Sequence, residues 1–334
     1  MSTTENQNTI SASNQTEHYP LISVLIATRN RPEDLKFCLH SILVQEYPRY
    51  EVIVLDQSTD TNTSEMISEI FPGHNKLIYI PSSTVGKSIA LNILIEKASG
   101  EIYALTDDDT EAPADWLHQI KVSFDNNPNA DILFGQVFPG KPSGINGKIF
   151  IPSYCFSEKR RLKKGDVSGM GANMAIRKSI ARRVKVYDPI LGPGAPMHAA
   201  EEGDFIYRVQ LTGGAVLHDP EIRLTHRAAR SSEEWGRVYY SYGIGDSAFA
   251  VKHLRCGDVS IAAHKSIHLA QMMLRLASRI IRRQPHQEEQ YIKGFFHGIS
   301  LSYKYKVDRK MRLYISRQTT QSDTINTLYE DNYK

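Results

Sequence analysis

The sequence predicts an α/β fold, a mostly parallel sheet with helices on both faces, followed by a basic helical C-terminal region. Three observations carry this. Apolar, β-branched runs alternate with helix-periodic segments between residues 21 and 130, the pattern of repeated βαβ units. Each run ends in a polar loop, where ligands bind in such sheets. The charge changes sign at residue 226: residues 1–225 carry 22 Lys and Arg against 27 Asp and Glu, and residues 226–317 carry 17 against 7.

The first strand is residues 21–27, and the helix at 31–46 follows with Pro32 near its start and Leu35, Leu39, Ile42 and Leu43 at helical spacing. The same unit recurs as strand 50–55 with helix 61–70, strand 76–80 with helix 86–98, and strand 102–106 with helix 114–124. Parallel pairing brings loops 28–31, 56–60, 82–87 and 107–110 to one rim. A further strand is expected at 222–225, and a long helix at 259–283. This gives a polar tail at 1–18, an α/β domain at 19–226, a basic helical region at 227–318 and a second polar tail at 319–334.

With 41% hydrophobic and 23% charged residues, the 334-residue chain is ordinary for a globular protein, which excludes collagen-like, wholly disordered and disulfide-scaffold classes. Cys38, Cys155 and Cys256 are too far apart for a CxxC pair and suit a reducing compartment. The N-terminal segment lacks the basic and apolar regions of a signal peptide. No run reaches the roughly 18 apolar residues of a spanning helix. A cytoplasmic protein is expected, peripheral at the membrane face if it meets a membrane.

Asp107, Asp108 and Asp109 follow a strand and precede a helix start at Pro113. Three adjacent carboxylates repel one another unless a hard divalent cation offsets their charge; the other reading is a solvated acidic turn. Asp56 ends a second strand on the same rim, where it reads either as a ribose or base acceptor or as a turn residue before Ser58. The run Gly86, Lys87, Ser88 is like the end of a phosphate-binding Walker loop, but Pro81 stands where that loop needs Gly, so a P-loop hydrolase is excluded. Lys87 is left as a phosphate contact or a solvated cation.

Taken in order, residues 23–31, 51–60, 105–113 with Trp116, 171–177 and 201–208 resemble the successive motifs of family 2 glycosyltransferases, over about residues 20–226. That resemblance implies the GT-A fold, a Rossmann-like sheet, and transfer with inversion from a nucleotide-sugar. It assigns Asp56 to the base or ribose, Asp107 to the ribose side and, with Asp109, to a Mn2+ or Mg2+ ion on the diphosphate. It places Thr28, Arg29, Asn30, Lys87 and Asp108 in the donor site. The family has a Gly between the first Asp of its second motif and the Ser; here Gln57 stands alone. Aligned on Asp204 and Arg208, the family's acidic pair becomes Glu201 and Glu202, with Glu202 at the base position and Glu201 as a second candidate. Inversion by one displacement requires such a carboxylate to take the acceptor's proton. Read without the family, the pair is also explained as first-turn carboxylates favouring a helix dipole. In similar enzymes a His after this helix ligates the metal or touches diphosphate, which points to His226, with Arg227 and Arg230 beside it. Gly169 and Gly171 suggest close backbone approach, and residues 192–198 a loop able to close over the site.

In the helix expected at 259–283, Ile261, Leu269, Met272, Met273, Leu276 and Ile280 share one broad side, with Lys265, Arg275, Arg279, Arg282 and Arg283 beside it. Two readings stay open: a basic amphipathic helix on an anionic membrane, or a helical pair packed on the catalytic domain. The expected partners are a UDP-, GDP- or dTDP-linked sugar, a glycan or lipid-linked acceptor and, on the first of those two readings, an anionic membrane surface. Nucleic acid is not expected, since no RNP pattern accompanies the basic region. A sugar nucleotidyltransferase is disfavoured because residues 28–32 are not a Gly-rich loop; a non-catalytic binding protein of the same fold is the remaining alternative.

Overall fold

The computed structural model describes residues 18–141 and 150–315. The polar tails expected at 1–18 and 319–334 therefore lie, apart from His18, outside the described residues. The first four strands, β1 (Ile22–Thr28), β2 (Tyr50–Asp56), β3 (Leu77–Pro81) and β4 (Ile102–Asp107), pair in parallel in the order 3-2-1-4. They are joined by α1 (Pro32–Ile42), α2 (Asn62–Ile70) and α3 (Lys87–Lys97). After β4 come the short β5 (Thr110–Glu111), α4 (Trp116–Asn126), β6 (Ile132–Pro139), β7 (Arg160–Arg161), β8 (Met174–Arg177), α5 (Lys178–Val184), α6 (Glu201–Leu211) and β9 (Val216–His226). The sheet continues past β4 as β8, β6, β9 and β5. Strand β8 is antiparallel to both β4 and β6, whereas β6 and β9 are parallel.

Strand alternation divides the core. Ile22, Val24 and Ile26 of β1 pack with Leu35, Leu39, Trp116 and Ile120 on one face. Leu25, one residue out of phase, packs with Leu91, Leu94, Phe205 and Ile206 on the other. Side chains of period two thus feed two helical layers, the sandwich expected of such a sheet.

Three boundaries differ from the sequence reading for identifiable reasons. Helix α1 stops at Ile42 rather than 46, because Gln45 turns back to donate to Ser41 O and Pro113 O and to accept from Leu117 N. Strand β9 is 11 residues long, not the four at 222–225. Its apolar pattern is broken by Asp219 and Pro220, where its register with β6 shifts between Phe134 and Gln136. The C-terminal region is α7 (Ser232–Arg255), α8 (Val259–Ile281) and α9 (Glu288–Ser302), closed by a hairpin of β10 (Lys306–Asp308) and β11 (Leu313–Ile315) that sequence periodicity did not reveal.

Helix α7 starts with a full capping box, Ser231 accepting from Glu234 N while Glu234 accepts from Ser231 N. It packs on the sheet domain through Ile244 and Ala248, which meet Leu191, Met197 and Tyr314. The inner face of α8 adds Ile261 to Tyr207 and Phe249, and Met272 to Tyr291 and Phe295. Helix α8 therefore reaches the sheet domain through Ile261 against Tyr207, while Met272 packs within the C-terminal helices, against α9.

Candidate functional site

The carboxyl ends of β1, β2 and β4 lie at one level, with Thr28 in register with Asp56 and Ala27 with Asp107. The turn after β4 sends the three aspartates to different partners. Asp108, the middle one, points inward and is buried, accepting from Thr28 Oγ1 at 2.7 Å and Arg31 NH1 at 3.0 Å. Burial, with Asp109 and Asp107 adding to it, pushes its carboxyl up to about 7 against the opposing pull of Arg31. Asp107 accepts from Lys87 Nζ at 2.7 Å; burial would raise this carboxyl, but the ammonium outweighs it and holds it below the usual range. Asp109 meets Arg31 NH1 at 2.9 Å through Oδ2.

The chain's own cations thus offset much of the repulsion that the sequence alone assigned to a metal. What they leave unmet is specific. Among the described residues, Asp109 Oδ1 and His226 Nδ1 are buried without a hydrogen bond. Register explains their meeting: His226, the last residue of β9, pairs with Thr110 of β5, which seats its ring beside Asp109. His226 Nε2 lies 3.3 Å from Asp109 Oδ1. Asp107, Asp109 and His226 each offer a ligand atom, all within 4.8 Å of one another. Unsatisfied buried acceptors are costly unless something fills the gap, and this set of two carboxylates and an imidazole fits a divalent cation.

Glu201 and Glu202 open α6 after Ala200, which adopts a left-handed conformation (φ 73°). The two carboxylates have different surroundings. Glu201 is buried, and burial followed by the charge of Glu202 pushes it up to about 8. Glu202 is half-buried, with Oε1 3.3 Å from the same Lys87 Nζ that holds Asp107. One ammonium therefore ties the acidic turn of β4 to the start of α6. Gly171 is the seat of Glu202: a Cβ there would lie 1.9 Å from Glu202 Oε1. The close approach expected near Gly169 and Gly171 is made at Gly171 to the carboxylate itself and at Gly169 to the Phe134 ring. Gly171→Ala should leave the thermal midpoint nearly unchanged, since a side-chain end can swing away, yet lower turnover about a hundredfold by displacing that carboxylate; undiminished turnover in steady-state assays would refute the seat.

The other expected residues are distributed as follows. Asp56 accepts from Ser58 N at 2.8 Å and from Tyr79 OH at 2.7 Å at the neighbouring strand end. Gln57, at the family's Gly position, is buried and donates to Thr84 Oγ1 and Gly86 O, stitching two rim loops together. Asn30 braces the rim, accepting from Thr59 N while its own N–H reaches Ser58 Oγ; Arg29 is exposed and outside the cluster. Lys87 is engaged by carboxylates, and its backbone N–H donates to Pro193 O. Loop 192–198, expected as a closing loop, accepts that bond at Pro193, and Ser88 Oγ donates to Leu191 O just before it. Arg227 turns to Glu111 and the Phe37 ring, while Arg230 keeps a buried Nε without a hydrogen bond.

Sequence reasoning missed Arg31, which clamps two of the three aspartates; its place in a rim loop facing the acidic turn was the available signal. It also missed Tyr242 on α7. Gly245, one turn on, packs against Ala199, and Ser241 Oγ lies 3.4 Å from His198 Nδ1, which places this exposed tyrosine beside the start of α6. Its hydroxyl end is the sheltered part of the side chain, and that desolvation, then the charge of Glu202, pushes it up to about 12.

The comparisons agree with this geometry. Residues 23–185 match the model of the family described as glycosyl transferase family 2. The glycosyltransferase AglE of Haloferax volcanii is 28% identical over 187 residues, 55% of this chain and 61% of the relative, so the chain spans about three fifths of that protein. The glucosyl-dolichyl phosphate glucuronosyltransferase of the same organism is 22% identical over 300 residues, 85% of this chain and 95% of the relative. Among solved structures, a mannosyltransferase of Pyrobaculum calidifontis in complex with GDP-Man and Mn2+ superposes with a TM-score of 0.58 at 16% identity, covering 85% of this chain and 87% of that one. With the α/β sheet of GT-A glycosyltransferases and a family match over residues 23–185, from β1 through α5, the chain is similar to glycosyl transferase family 2.

Proposed function

We propose that the chain transfers a sugar from a nucleoside diphosphate donor to an acceptor hydroxyl with inversion. The observation that carries this is the single Lys87 ammonium linking Asp107 of the donor rim to the half-buried Glu202. It brings a carboxylate able to receive a proton next to a cluster able to hold a cation. In one displacement the acceptor oxygen bonds to the sugar C1, the bond from C1 to the diphosphate breaks, and the hydroxyl proton passes to Glu202. Glu202 is the better base because it is the more open carboxylate, whereas Glu201, pushed up to about 8, keeps its proton at neutral pH. Asp107, Asp109 and His226 would hold Mn2+ or, less favourably given the imidazole, Mg2+. Such an ion absorbs charge developing on the departing diphosphate.

Asp56 with Tyr79 is assigned to the nucleoside, and Arg230, with its unmatched Nε, to the diphosphate. A lipid-linked acceptor is favoured over a free glycan by the dolichyl phosphate glucuronosyltransferase, which aligns over nearly its whole length. We place the protein on the cytoplasmic side, since Cys38, Cys155 and Cys256 are free thiols. The test is nucleoside diphosphate release from a panel of UDP-, GDP- and dTDP-linked sugars with Mn2+ or chelator. Release should require metal, and Asp109→Asn should remove both the release and the rise in melting temperature that Mn2+ with nucleoside diphosphate gives the native protein. Metal-independent release, or full Mn2+ stabilisation of Asp109→Asn, would refute the assigned site.

A further inference from the structure

Helix α8 has a second apolar face that packs on nothing among the described residues. Its inner side is used: Ile261 and Met272 are 2% and 8% exposed. On the opposite side Val259, Ile267, Leu274 and Ile281 are 65%, 61%, 72% and 81% exposed, with exposed alanines in the turns between. Spacings of seven and eight keep these four on one outward stripe of a helix. Exposing that much contiguous hydrocarbon to water is unfavourable, and such patches mark a docking surface.

Charge identifies the occupant. Val259–Ile281 contains no acidic residue. Its inward cations are already matched, Lys265 to Asp246 at 2.6 Å and Arg279 to Glu288 at 3.1 Å. Arg275, Arg282 and Arg283 are exposed and have no ion pair among the described residues. Arg275 and Arg282, seven apart, run along one border of the stripe. A second copy of this face would bring hydrocarbon but no counter-charge, whereas an anionic bilayer supplies both. No described helix is long and apolar enough to cross a membrane, so the geometry fits a helix lying in the interface plane. We infer that the outward stripe of α8 docks the protein on an anionic lipid surface, which would present the rim to an acceptor held in that surface. The residues responsible differ from the side singled out by sequence periodicity, because Ile261 and Met272 are spent inside the protein.

Docking stands apart from the proposed chemistry, and the two are read separately. The full chain should sediment with phosphatidylcholine vesicles containing about 30% phosphatidylglycerol and weakly with phosphatidylcholine alone. Ile267→Asp with Leu274→Asp should abolish sedimentation without lowering the melting temperature, since both side chains are exposed. Arg275→Ala with Arg282→Ala should weaken binding about thirtyfold and flatten its salt dependence. Leu274→Trp should show blue-shifted emission only with anionic vesicles. Nucleoside diphosphate release in vesicle-free buffer should be the same for the wild type and the docking variants, so loss of release with intact sedimentation counts against the chemistry alone. The inference is overturned if the wild type fails to sediment, if the aspartate variant sediments normally, or if velocity sedimentation reveals a dimer that this variant dissolves.

Discussion

Glu202→Gln is expected to lower glycosyl transfer by about 10²–10⁴-fold, the usual worth of a positioned general base, while leaving donor affinity within about twofold. The substitution keeps the size of the side chain, its place against Gly171, and an oxygen able to accept from Lys87. It removes only the capacity to take a proton. In the proposed function donor binding is assigned to other groups, namely the Asp56 end of β2 and the cluster of Asp107, Asp109 and His226. The loss should therefore fall in kcat rather than in the dissociation constant. Glu201→Gln provides the contrast. Its carboxyl is buried and holds its proton at neutral pH, so the amide is close to isosteric with the resident form and turnover should survive. Single-turnover kinetics with calorimetry of donor binding would decide it. Normal transfer by Glu202→Gln, or loss confined to Glu201→Gln, would exchange the roles of the two residues.

The parts of this site that were legible in the sequence are those fixed by strand ends. Asp56, the acidic turn at 107–109 and His226 each terminate an apolar run, and parallel pairing carries them to one rim whatever the sheet order. The acidic pair opening α6 was legible for a similar reason, as first-turn residues of an amphipathic helix. What the sequence left dark depends on contacts between distant segments. Arg31 matters because it reaches across 77 and 78 residues to two aspartates. The antiparallel β8 inserts between β4 and β6, and its four residues offer too short a pattern to show direction. On α8 the periodicity described one broad apolar side, and burial alone shows that Ile261 and Met272 pack while Val259, Ile267, Leu274 and Ile281 are bare.

Lys252→Met is expected to destabilise the fold by about 3–5 kcal/mol, the cost of breaking a buried ion pair by removing one partner. Lys252, on α7, is fully buried and lies 2.6 Å from Asp188 and 2.7 Å from Asp204. Asp204, on α6, also meets Arg208 at 2.9 Å and His253 Nε2 at 2.8 Å, and Asp188 accepts from Tyr314 N of β11. Two buried carboxylates are thus balanced by two buried cations, and the cluster fastens the C-terminal helices and hairpin to the helix that begins with Glu201. Methionine matches the lysine stem in volume but leaves one carboxylate without a counter-charge. If charge balance is the cause, adding Asp188→Asn should restore much of the loss, because the orphaned charge goes with its partner. The pH dependence provides a second check. Burial would raise the Asp204 carboxyl, but Lys252, then Arg208 and His253, overcome this and hold it far below the usual range. A depressed carboxyl contributes stability that is complete above the unfolded value near about 4 and is lost as pH falls below it. The gap between wild type and Lys252→Met, measured by urea unfolding, should therefore be widest at neutral pH and narrow below about pH 4. A gap that is constant across that range, or a double variant no more stable than the single one, would assign the loss to packing rather than to charge.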